Sequence, residues 1–125
     1  MATPLAYERD DLGSAAFIDR TVNSVRSGDQ LSPDVALTND DAAVFAWVDD
    51  SSSGDGAGNH DVKVRGLSRG GCDGFGDIFA NTNTDGDQRS PALASDTNGN
   101  FVVAWEDAQD GNGAFQIVAR GLDGP

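Results

Sequence analysis

The chain has very little of the chemistry that most active sites draw on: one cysteine, one histidine and one lysine among 125 residues. Cys72 has no second thiol in the chain to pair with and no histidine cluster beside it, so neither a disulfide, a thiolate metal site nor a Cys nucleophile is expected. Basic residues number 8 against 21 acidic ones, a formal net charge of −13. The clustered Lys and Arg that phosphate binding needs are missing, so nucleic acid is not expected as a partner. No apolar run approaches the roughly 18 residues of a membrane span, and no membrane insertion is expected. Met1 to Asp10 lack a basic end followed by an apolar stretch, so no signal peptide is visible.

What the chain does have is aspartate and glycine. Glu8 and Glu106 are the only glutamates, and glycine occurs 16 times. Asp and Gly favour turns, and a short carboxylate suits a compact calcium site; a solvated acidic surface is the plainer reading of the same charge, and the two are compatible. A chain of 125 residues has room for a single domain, 1–125, with a modest core.

The strongest signal is internal repetition. Phe17 to Asp49 aligns without a gap on Phe75 to Asp107 at an offset of 58, with 13 identities in 33 positions. Among them are Phe17/Phe75, Asn23/Asn81, Gln30/Gln88, Ser32/Ser90, Pro33/Pro91, Trp47/Trp105 and Asp49/Asp107. Past the tryptophans the offset falls to 55, which matches Arg65-Gly66-Leu67 to Arg120-Gly121-Leu122 and places the length difference in a loop.

Each copy divides into four strand-like pieces bounded by turn residues. They are Asp19–Ser24 and Asp77–Thr82; Asp34–Thr38 and Ala92–Ser95, each entered through a proline; Ala43–Val48 and Phe101–Glu106; and Val62–Arg65 and Ile117–Arg120. The third piece is apolar on both faces, as in a strand buried on both sides. The expected fold class is therefore all-β, with two four-stranded antiparallel propeller-type blades per chain and a ring completed by oligomerisation. Residues 30–82 form blade one and residues 88–122 supply three strands of blade two. The leading strand 19–24 closes the last blade of a neighbouring chain, which leaves no exposed sheet edge. The expected partner is thus a second copy, head to tail, as a trimer with six blades in preference to a tetramer with eight.

The run Asp77 to Ala94, with Asn81-Thr82, Asp87-Gln88 and Pro91, is followed by Phe101-Val102-Val103-Ala104-Trp105 and Gln109-Asp110-Gly111. It resembles the repeat of large secreted bacterial proteins of the adhesin or RTX-associated type. The resemblance covers most of residues 75–122 and, more weakly, 17–67; it implies blade-like repeats and an extracellular or cell-surface location, and brings no catalytic activity with it. Copy one departs from it at Ser51 to Gly58, so a ligand shared by both loops is not implied.

Candidate ligand oxygens recur at alternate positions in Asn81, Asn83, Asp85 and Asp87, with Gly86 permitting a sharp turn, and calcium is the cofactor such a pattern suits. The loops after the tryptophans add Asp49, Asp50 and Asp55 in copy one and Asp107, Asp110 and Asn112 in copy two. The alternative at each is a hydrogen-bonded turn. Trp47 and Trp105 lie in the most apolar strands and are expected in the core rather than on a sugar-binding surface. Arg65 and Arg120 are expected to pair with Asp29 or Asp87 across blades. His60 has no counterpart in copy two, and no catalytic set stands out. The expected function is a non-enzymatic extracellular binding or structural module, with a glycan or surface protein as partner. A lectin-like propeller is the alternative, on which Tyr7, Phe75 and Phe115 are the aromatic candidates, and a hydrolase acting at the ring centre comes third.

Overall fold

The computed structural model describes residues 21–37, 42–50, 60–68, 72–82, 86–108 and 114–124, with the backbone alone at 7–9, 15–17, 68 and 72–73. All regular structure among the described residues is β. Strands β1 (Tyr7–Arg9) and β2 (Ala15–Phe17) form a short antiparallel pair. Sheet one is four-stranded in the order β3 (Gln30–Leu37), β4 (Ala43–Asp49), β5 (Asp61–Ser68), β6 (Cys72–Phe79). Sheet two is three-stranded in the order β7 (Gln88–Ser95), β8 (Phe101–Asp107), β9 (Gln116–Leu122). Every pairing is antiparallel and sequential, so each sheet is a meander.

The repeat is reproduced bond for bond where the strands end. Asp50 N donates to Asp29 O at 2.8 Å, and Ala108 N donates to Asp87 O at 2.9 Å. Strands β3 and β7 begin earlier than the prolines suggest, at Gln30 and Gln88, and the chain passes each proline inside the strand. The ladder slips between Leu31 and Asp34 and between Arg89 and Ala92, so the missing proline N–H falls in a bulge where no ladder bond is lost. Ser32 and Ser90 make that slip with φ of 54° and 55°, a left-handed backbone that a residue before proline seldom adopts.

The leading pieces also differ from expectation. β6 starts at Cys72, because the end of β5 carries on pairing as far as Ser68↔Cys72, and it finishes at Phe79. Thr21 to Ser24 are not in a strand, nor are Ala80 to Thr82, the repeat counterparts of Val22 to Ser24; Asp19 and Arg20 lie outside the described residues.

Sheet two stacks on one face of sheet one. Ala46, Val62, Val64, Ala80, Val103 and Trp105 form the core between them, with Phe75, Leu93, Val118 and Leu122 packed around it. Phe75 from β6 acts as mortar: its ring lies over Gly66 and stacks on Phe101 of sheet two, centroids 6.0 Å apart and planes 7° apart. Polar bonds cross the same junction, from Leu93 N to Asp34 Oδ2 at 2.6 Å and from Gln88 N to His60 O at 2.9 Å.

Candidate functional site

Behind the junction lies a chain of buried amides and carboxylates. Gln88 is wholly buried, and Asn81, Asp61 and Asp107 are each 2 % exposed. Asn81 Nδ2 donates to Asp61 Oδ1 at 2.8 Å and to Gln88 Oε1 at 3.2 Å, while its Oδ1 accepts Val62 N at 2.8 Å. Gln88 Nε2 then donates to Asp107 Oδ1 at 3.2 Å, and Trp105 Nε1 donates to Asp107 Oδ2 at 2.9 Å. Buried polar groups are tolerated when they are bonded this fully, and a network so satisfied fixes one arrangement of strands.

Sheet one builds the same chain from the same repeat positions. Asn23 Nδ2 donates to Gln30 Oε1 at 3.1 Å, and Gln30 Nε2 donates to Asp49 Oδ1 at 3.0 Å. It closes differently. Lys63, the only lysine, is buried and puts Nζ 3.2 Å from Asp49 Oδ2. Trp47 stands opposite Lys63 on the neighbouring strand, and its Nε1 is buried with no hydrogen-bond partner among the described residues. In sheet two the residue opposite Trp105 is Val118, which leaves Asp107 to the indole.

In front of this network a cleft of about 240 Å³ opens between the sheets, lined by Leu31, Ser32, Val48, His60, Asp87, Arg89 and Ser90. The two left-handed serines thus meet on its rim. His60 N donates to Asp87 Oδ1 at 3.1 Å, and its ring Nδ1 lies 3.2 Å from the same oxygen, with Nε2 3.9 Å from Asp50 Oδ2. The cleft combines an imidazole between two carboxylates with a guanidinium and two hydroxyls, a set suited to hydrogen-bonding a small polar ligand. No family model, curated protein or solved structure matches the chain.

Five of the ten residues proposed to hold calcium are described. Asn81, Asp49 and Asp107 lie in the two buried networks, with side-chain oxygens turned to N–H donors or to Lys63. Asp50 and Asp87 flank His60 at the cleft. Asn83, Asp85, Asp55, Asp110 and Asn112 lie outside the described residues, and no group of three or more His, Cys, Asp or Glu among the described residues could hold a metal. Trp47 and Trp105 are buried, 5 % and 3 % exposed. Arg65 and Arg120 both reach backbone carbonyls: Arg65 Nη1 donates to Val22 O, and Arg120 Nη1 donates to Ala80 O at 3.2 Å and to Phe79 O at 3.3 Å. Of the aromatic candidates for sugar stacking, Phe75 is taken up by Gly66 and Phe101, and the Arg89 guanidinium lies 3.8 Å from the Phe115 ring centre. The side chain of Tyr7 is outside the described residues.

Gln30, Gln88, Asp61 and Lys63 carry the networks, yet no chemical role follows from their residue types. The signal for the glutamines was their identity in both copies. Lys63 and Asp61 have no identical counterpart, so repetition does not mark them.

Proposed function

We propose that the chain is a non-enzymatic module of two propeller-type blades, working by presenting surfaces and loops in an extracellular or cell-surface setting. One observation carries this reading. Three polar pairs kept identical in both copies, Asn23/Asn81, Gln30/Gln88 and Asp49/Asp107, are spent on hydrogen bonds that hold strands together. Four of the seven residues lining the cleft, Leu31, Val48, His60 and Arg89, stand at positions that differ between copies, and Ser32, Ser90 and Asp87 stand at identical ones. A repeat that keeps its buried network and varies part of its cleft is suited to display, and function then resides in what is displayed.

The test is a turnover assay of the purified chain against glycosides and esters, alongside the His60→Ala and Asp87→Asn variants. The expected result is no turnover by any of them. Hydrolysis by the parent chain that disappears in both variants would overturn the reading and make the cleft an active site.

A lectin-like role is the alternative that the cleft favours, since carboxylate, guanidinium and hydroxyl groups converge there without an aromatic platform. A glycan array separates the two: binding lost in Arg89→Ala supports the lectin, and a blank array removes it. Calcium acting on the acidic loops belongs to the same proposal, resting on Asp50 and Asp87 and on the candidate residues outside the described set. A cation bound only by the folded chain raises the melting temperature with the logarithm of its concentration. Melts in calcium and in chelator are therefore expected to differ, and coincident curves would reduce these loops to solvated turns.

A further inference from the structure

The two copies treat the same crossover differently. In copy two, Val62 of β5 is gripped at the point where β6 passes toward sheet two. Ala80 N donates to Val62 O at 2.7 Å, and Val62 N donates to Asn81 Oδ1 at 2.8 Å. The Val62 side chain packs in the core cluster with Ala80, Val103 and Trp105. One apolar residue is thereby fixed by both its backbone groups and by its side chain.

The counterparts of those contact residues, Val22, Asn23, Phe45 and Trp47, stand together in copy one. Arg65 Nη1 donates to Val22 O as Arg120 Nη1 donates to Ala80 O, so the two crossovers sit alike on their sheets. Asn23 also keeps the bond that Asn81 makes to its glutamine, with Nδ2 3.1 Å from Gln30 Oε1. What lies in front of them differs. A cavity of about 150 Å³ opens there, walled by Val22, Leu31, Pro33, Phe45 and Trp47, with Asn23 on its lining. Leu31 is 49 % exposed and Phe45 half-buried, so the cavity is reached from outside. Among the described residues, Val22 N and Asn23 Oδ1 have no hydrogen-bond partner. A cavity of this size takes one ring or one branched side chain.

We propose that this cavity binds one β-branched apolar residue of an extended peptide from a partner protein. Its C=O accepts the Val22 N–H, its N–H is donated to Asn23 Oδ1, and its side chain fills the space against Trp47 and Phe45. Backbone pairing supplies the hold and the pocket reads a single side chain, as where a peptide is bound as an added strand. The occupant follows from continuity with the junction inside the chain, where Val62 makes the same three kinds of contact. Charge narrows it further. A chain of formal charge −13 attracts a peptide with basic residues beside the apolar one, as Lys63 and Arg65 stand beside Val62 and Val64 in β5. The site needs room for one side chain only, and Leu31 is the one described residue it shares with the cleft.

The test is a titration of the intact chain with the end-blocked peptide Asp-Val-Lys-Ser-Arg, the β5 sequence from Asp61 with serine in place of Val64 so that a single register is offered. Calorimetry and the nuclear magnetic resonance signal of the Trp47 indole N–H follow it. Saturable binding that moves this signal and leaves that of Trp105 in place is expected. N-methylation of the valine removes its N–H, and serine in its place removes the branched apolar group at constant charge. Each is expected to weaken binding about ten-fold. Asn23→Leu removes the acceptor from the protein side with the same expected loss; should it unfold, the N-methyl peptide tests that bond on the parent chain. No saturable binding at millimolar peptide, or equal affinity for all three peptides, would overturn the site. Turnover at the cleft would overturn the non-enzymatic reading and leave this one standing, so the two failures are distinguishable.

Discussion

Sheet one and sheet two are written in nearly the same residues and live in different surroundings. In sheet one, Asp49 at the end of β4 is matched by the ammonium of Lys63; in sheet two, Asp107 is matched by the indole of Trp105. The Trp47 N–H in sheet one has no hydrogen-bond partner among the described residues. The apolar faces diverge in the same way: Val62 is wholly buried and Ile117 is mostly exposed, although both occupy the same place in the repeat. Burial here is set by the neighbouring sheet, and the residue alone does not decide it.

Substitutions break the comparison most sharply at the tryptophans. Trp105→Ala empties the core between the sheets and is expected to cost about 3–5 kcal/mol in urea unfolding, and Trp47→Ala less, because Trp47 is not part of that core cluster. Next comes Lys63→Val, which installs the sheet-two residue type in sheet one. Removing one partner of a buried ion pair costs about 3 kcal/mol, and the loss is expected to shrink when Asp49→Asn is added. Smaller again is the difference between two conservative changes. Trp105→Phe leaves Asp107 Oδ2 without its donor and is expected to cost about 1–2 kcal/mol more than Trp47→Phe, which removes an N–H that has no partner among the described residues. Equal costs would mean that the two indoles are held alike.

The smallest effect lies in the β7–β8 turn, where backbone bonds from Asn100 and Asn98 hold the Asp96 carboxyl below its ordinary value. A lowered folded value contributes stability that is present above the unfolded pKa and is lost as pH falls through the folded one. Asp96 is fully exposed, so its share is slight. Acid titration of Asp96→Ala is expected to show a slightly shallower loss of stability below about pH 4 than the parent chain.

Much of the fold was legible because two copies of one pattern report on each other. Turn residues and matching apolar runs located the strands, and the tryptophans marked the core. The bulges were hidden because proline ordinarily opens a strand, and only a serine held left-handed lets the strand run back to Gln30 and Gln88. The carbonyl bonds of the arginines were also hidden: residue type alone does not point to the backbone at Val22 and at Ala80. Of the site, the repeated Asn and Asp positions were visible as oxygen donors. That they face inward depends on half-buried Gln30 and buried Gln88, which no hydropathy pattern places inside. The cleft was the least legible part, since Ser32 and Ser90 are far apart in sequence and meet only when the sheets stack.

The solitary lysine gives the molecule a reporter of its own motion. Its side chain is 6 % exposed, so acylation of its amine requires β4 and β5 to part from whatever covers them. Because the chain contains no other lysine, peptide mapping of that single modified site gives the rate at which sheet one opens. Sheet two has no such handle, and the clock therefore runs on one half of the molecule alone.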